Sequence, residues 1–263
     1  MTLNNLYSGA FSLIIAAVGL LALATATGRG DITTATLVLA GASCFITGVF
    51  LLALHKGEPI SPEIAALLPA QGTIGIATLC ADLGVQGDAW FIPEEDGTVV
   101  EIIPVTSAPP VTVGGDYSYI TREDGCAVRL VPVCTPLLRH LQDKYALEIP
   151  KDDNEGLLAC IEEVCDTLLE ISGKTTAARD GANIIVTLND YHLVPGCQAI
   201  REVSPKCCTM VGCPICSLLA AIAAIGIGTP TKIEHVALDE RRKSLRVILR
   251  PESAGGPGPG VLG

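Results

Sequence analysis

Two long stretches without a charged side chain constrain this chain most. The first runs from Thr2 to Gly28 around "AFSLIIAAVGLLALATAT"; the second, "ITTATLVLAGASCFITGVFLLAL", runs from Ile32 to Leu54. About 20 apolar residues cross the hydrocarbon of a bilayer, so each stretch is long enough for one transmembrane helix. Only "RGD" joins them. The spacing predicts a helical hairpin over 8–27 and 32–54, within a membrane unit of residues 1–55 whose ends share one side of the bilayer. A cleaved signal peptide fits less well. "MTLNNLYSG" has no Lys or Arg for a basic leader, although "ATA" at 24–26 resembles a cleavage site. Small residues at Gly41, Ser43, Cys44, Thr47 and Gly48 are suited to close helix packing in lipid.

The net charge of −11 lies beyond the hairpin, where 27 acidic residues face 16 basic ones from His55 onward. Such a domain repels nucleic-acid phosphates and anionic headgroups, so no nucleic-acid partner is expected. The basic cluster "ERRKSLR" at 240–246 reads as a solvated hairpin end. Orientation has little to rest on, because few basic residues flank the spans. Ten cysteines outside the spans show no regular disulfide spacing, which favours a reducing compartment. The expectation is a two-span protein of the cell membrane with its large domain on the cytoplasmic side.

Residues 56–62 read as a linker, 63–251 as an α+β domain and 252–263, "ESAGGPGPGVLG", as a disordered Gly/Pro tail. Ser61-Pro62 is fit to start a helix, and "EIAALLPAQGTIGIATLCADLG" reads as helical stretches broken at Pro69 and Gly72. "DAWFIPEEDGTVVEIIPV" predicts a hairpin around an Asp-Gly turn, and "CAVRLVPV" and "ANIIVTL" predict strands. "CTPLLRHLQDKYAL" predicts a helix capped by Thr135, and Leu157, Ile161, Val164, Cys165 and Leu168 recur at helical spacing. "CSLLAAIAAIGIG" predicts an apolar helix before a last hairpin, "TKIEHVAL … SLRVILR". Paired strands with helices between them suit a mixed or antiparallel sheet with helices packed on a face. Residues 79–105 and 219–250 share the order helix end, turn, strand, turn, strand, as two αββ units of one sheet would.

With its two-helix anchor, "IATLCADLGVQGDAWFIPEEDG", "DGCAVRLVPVCTPLL" and "GTPTKIEHVAL", the chain resembles a family of uncharacterised archaeal membrane proteins. The resemblance covers nearly the whole chain and implies this architecture, without a known activity or site residues.

Standard phosphate-loop, serine-hydrolase and zinc-protease signatures are absent. "GIGTPTK" at 226–232 follows a helix, whereas phosphate loops precede one. His192 near Cys197 reads as a surface residue and "IPEEDG" as a solvated turn. Chemistry therefore concentrates in "CCTMVGCPICS" at 207–217. Cys207, Cys208, Cys213 and Cys216 form a candidate metal set, with Cys197 as an alternative fourth ligand, though a second C-x-x-C is lacking. Cys213-Pro-Ile-Cys216 at a helix start is a candidate thiol–disulfide pair, because a helix N-terminus lowers a thiol pKa. The plainest reading is that buried cysteine packs as a small hydrophobe, protonated and unreactive. On balance the sequence leans away from an enzyme. It describes a membrane-anchored binding or interaction module, without a cofactor, attached to lipid through residues 8–54 and taking a protein or small-ligand partner.

Overall fold

The computed structural model describes residues 5–28, 32–54, 60–105, 118–122 and 125–252. The "RGD" turn, most of the linker and the Gly/Pro tail from 253 lie outside the described residues. The chain divides into two compact units, Met1–Ser61 and Pro62–Gly263.

The first unit is a pair of packed helices, α1 (Asn5–Thr27) and α2 (Ile32–Leu54). Ala10, Ala17 and Ala24 recur every seven residues on α1 and are buried. Gly41 of α2 meets Ala17 and Leu21, and Gly48 meets Ala10 and Ile14, so closely that an added Cβ would lie 2.9 Å from Ile14 Cγ1. Gly41 and Gly48 thus make the close approach. Ser43 and Thr47 instead donate to Leu39 O and Ser43 O within their own helix. Phe11, Ile15, Val18, Leu39, Ile46 and Phe50 turn outward, which suits lipid rather than water.

The second unit is α+β. Its chain order is α3 (Pro62–Leu67), α4 (Ala70–Asp82), β1 (Trp90–Pro93), β2 (Val99–Pro104), β3 (Tyr119–Arg122), β4 (Gly125–Leu130), α5 (Thr135–Tyr145) and α6 (Asn154–Glu163). Then come β5 (Lys174–Asp180), β6 (Asn183–Asn189), α7 (Val194–Val203), α8 (Cys207–Met210), α9 (Pro214–Ile227), β7 (Thr231–Asp239) and β8 (Ser244–Pro251). The eight strands form one antiparallel sheet in the order β3-β4-β2-β1-β7-β8-β6-β5.

The two αββ units stand back to back at its centre. α4-β1-β2 and α9-β7-β8 meet where β1 pairs with β7, through Trp90↔Lys232 and Phe91↔Thr231. That seam is short, and α9 packs on β1 and β2 as well as on β7 and β8. Every residue from Ile215 to Gly226 is buried, which explains why the helix is apolar on all sides. Its passage over α6 requires Gly226, where an added Cβ would sit 2.5 Å from Leu157 Cδ1. On the helix-covered side of the sheet lie Phe91, Val99, Ile103, Ile184, Val186, Leu188, Val247 and Leu249. A smaller cluster of Val100, Ile102, Ile120 and Ala127 gathers residues of β2, β3 and β4.

Several local expectations change. Gly72 does not break α4, which runs through it and Gly75 without interruption. The N-cap position of α5 falls one residue early, at Cys134, whose side chain makes no capping hydrogen bond. α6 ends in a π-helical turn, Val164–Leu168. That turn places the Asp166 carboxylate to accept from Thr175 N at 2.8 Å and Ser172 Oγ at 2.7 Å, tying it to β5. Strands β3 and β5 were not expected from the pattern. "KTTAARD" has no apolar alternation, and β5 forms because it pairs along its full length with β6.

Candidate functional site

Two buried polar clusters face the core. The first is built around α9. Gly212, at φ +80°, turns the chain after α8, so that Cys213 becomes the N-cap of α9 and Pro214 its first residue. A cap side chain accepts from the first-turn N–H groups, and Cys213 Sγ accepts from Cys216 N at 3.5 Å. The thiols of Cys197, on α7, and Cys216 lie close enough to act on the titration of Cys213. Tyr191, buried before α7, lies beside Cys197. Tyr191, Cys197, Cys213 and Cys216 thus gather in one buried cluster.

These contacts order the thiols electrostatically. Hydrogen bonds from Cys197 and Cys216, aided by the backbone N–H of Cys216 and Ile215, hold the Cys213 thiol well below its ordinary range despite burial. Cys197 is raised by donating to Cys213 and by burial, and Cys216 likewise. Burial pushes Cys208 up to about 12. At Cys213 hydrogen bonds to the charged form thus oppose the desolvation that would keep a buried thiol protonated. Lys206 takes no part. Its ammonium pairs with Asp88 at 2.5 Å.

Of the sequence-predicted residues, Cys213 and Cys216 are brought together and Cys208 lies close enough to feel Cys213. Cys207 is buried beside Cys208, its thiol raised by desolvation. Cys197 joins the cluster as the third thiol. Among the described residues no group of three or more His, Cys, Asp or Glu is arranged to hold a metal ion. All eleven cysteines are free thiols.

The second cluster was not foreseen. Glu101, on β2 opposite Phe91 and Leu130, is fully buried, and neither carboxyl oxygen has a hydrogen-bond partner. Burial raises its pKa well above the usual carboxylate range. Cys80 and Cys134 lie near enough for Glu101 to add to the upward push that burial gives their thiols, Cys134 reaching about 12. Ser217 Oγ on α9 is also buried without a partner. The only sequence signal was an acidic residue interrupting the apolar run "TVVEIIPV". Nearby, a cleft of about 190 Å³ is lined by Glu94, Arg129, Cys134, Arg139 and Gln142, with Arg129 paired to Glu94 at 3.3 Å. It is smaller than the several hundred Å³ typical of ligand pockets.

An apolar helical pair, each helix long and apolar enough to cross a membrane, followed by an α+β unit with one eight-stranded antiparallel sheet defines the class. The chain belongs to the family described as Domain of unknown function (DUF7982), whose model matches residues 8–250, through both units. No curated protein and no solved structure matches it.

Proposed function

We propose that this protein is a membrane-anchored interaction module. α1 and α2 span the membrane twice, and the acidic α+β unit binds a protein or small-molecule partner without catalysing a reaction. The observation that carries the reading is the outward-facing apolar surface of α1 and α2, two helices of 23 residues each without a charged side chain. Two further stretches are long and apolar enough to cross, but 207–227 is 89% buried within the α+β unit, and 62–82 is interrupted at Pro69. A cytoplasmic placement of the unit is supported by its ten unpaired thiols, which an oxidising compartment disfavours. Protease added to intact cells is expected to leave the unit uncut and to digest it after lysis; digestion in intact cells reverses the placement.

A second reading, thiol–disulfide exchange, is favoured by one observation: Cys213 caps α9 and receives the Cys216 N–H. In that chemistry the Cys213 thiolate attacks a partner disulfide and expels one partner thiolate. Deprotonated Cys216 then attacks the mixed disulfide, forming Cys213–Cys216 and releasing the second partner thiol. Cys213 and Cys216 are only 7% and 1% exposed, so the pair needs a local opening to meet a protein disulfide. Thiol counting on the native protein before and after a small disulfide reagent separates the readings. Loss of two thiols, mapped to Cys213 and Cys216, supports exchange; an unchanged count supports the interaction module.

A further inference from the structure

The surface of the α+β unit carries a feature that its soluble-looking core does not explain. From Ile64 to Ala81 the chain has no charged residue, yet this stretch is at the surface. α4 buries Ala70, Thr73, Ala77 and Cys80, at helical spacing, and turns Gln71, Gly72, Gly75, Thr78 and Leu79 outward. α3 buries Ala66, whose carbonyl sits against Gly196 of α7; a Cβ on Gly196 would lie 2.3 Å from it. That close contact fixes which side of α3 faces out, and the outward side holds Ile64, Leu67 and Leu68, the last 69% exposed. Leu79, 60% exposed, and Leu83 extend the same apolar composition along α4. Exposed apolar patches of this kind mark interaction surfaces.

We infer that the outward side of α3–α4 lies in the interfacial layer of the bilayer, as a third lipid contact beside the two spans. Neither helix can cross: α3 has 6 residues and α4 has 13, against about 20 needed. α3 instead presents Ile64, Leu67 and Leu68, and α4 an uncharged side that carries Leu79, while the other side of each is fixed to the core, an arrangement suited to helices that lie within the interface. The occupant is lipid because the surface is tethered to it. Ile60 follows the end of α2 by six residues, a reach of about 20 Å at full extension. The inference rests on α1 and α2 being the membrane anchor.

The test uses the full chain reconstituted in phosphatidylcholine vesicles, with and without lipids brominated near the headgroup or along the acyl chain. Three single variants, Leu68→Trp, Val38→Trp on α2 and Arg242→Trp in the β7–β8 turn, are each compared with the parent chain to subtract Trp90. Circular dichroism checks that each is folded. The expected result is that Leu68→Trp loses most of its added fluorescence to the shallow bromines and is shielded from aqueous iodide, whereas Arg242→Trp is quenched by iodide alone. Quenching of Leu68→Trp by iodide, as at Arg242→Trp, overturns the inference. So does shielding from both quenchers, which signals a protein partner or a second copy. If Val38→Trp is quenched by bromines and Leu68→Trp is not, the anchor stands and only the interfacial contact fails; if neither is quenched, the anchor fails as well.

Discussion

Replacing Glu101 by Met and by Gln gives two separable effects on stability. In the wild type, both carboxyl oxygens are buried without partners between Phe91 and Leu130. An unsatisfied buried polar group costs about 1–3 kcal/mol. Met keeps the length and apolar stem of Glu and removes that penalty, so Glu101→Met is expected to stabilise by about 1–3 kcal/mol before ionisation is considered. Ionisation adds a pH-dependent part. The folded-state pKa of Glu101 is raised by burial, so the native state holds the proton more tightly than the unfolded chain does. Native stability then falls as pH rises above the unfolded pKa, by up to about 1.4 kcal/mol per pH unit, until the folded pKa is reached. Glu101→Gln cannot ionise and removes only this slope; Glu101→Met removes the slope and lifts the plateau. The assay is urea unfolding of the detergent-solubilised chain at several pH values. Trp90, the single tryptophan, serves as the reporter because it is paired with Ile102 beside Glu101. A Glu101→Met variant less stable than wild type at neutral pH, or a wild type whose pH dependence equals that of Glu101→Gln, would refute the reasoning and reveal a partner for the carboxylate.

Three further outcomes follow from particular contacts. In limited alkylation read by mass spectrometry, Cys213 is expected to be modified before Cys197, Cys208 and Cys216, because neighbouring donors lower its pKa while theirs are raised; equal rates contradict that ordering. Asp166→Ala should cost about 1–2 kcal/mol at neutral pH, discounted for partial exposure. Burial raises the Asp166 pKa, but the bonds from Thr175 and Ser172 outweigh it and lower it overall; the cost therefore shrinks as pH falls through that pKa. Gly226→Ala should destabilise by about 1–3 kcal/mol through overpacking against Leu157, read from the urea midpoint.

The hairpin and the buried α9 were legible because lipid and core both demand unbroken apolar sequence. The αββ repeat was legible for a similar reason, since its helices and strands bury opposite periodicities. Edge strands were not. β3 and β5 take their conformation from pairing with β4 and β6, and their own residues carry little pattern. At the thiol cluster, short spacing drew attention to Cys207, Cys208, Cys213 and Cys216, but α7 delivers Cys197 from outside that run. Glu101 was hidden for a different reason: alternation assigns it to a sheet side, while only the tertiary cover of α9 and its neighbours removes its water.

The two-pair seam between β1 and β7, roofed by α9, has a consequence for the order in which the protein is made. Strands β1 to β4 leave the ribosome more than 80 residues before α9 does. Until α9 arrives, the sheet face that carries Glu101 lacks the cover α9 gives β1 and β2, and water reaches it more freely. Docking of α9 then strips that water away. The β1–β7 seam forms only once β7, which follows α9, is present, and because burial raises the pKa of Glu101, closing the two halves is favoured as pH falls.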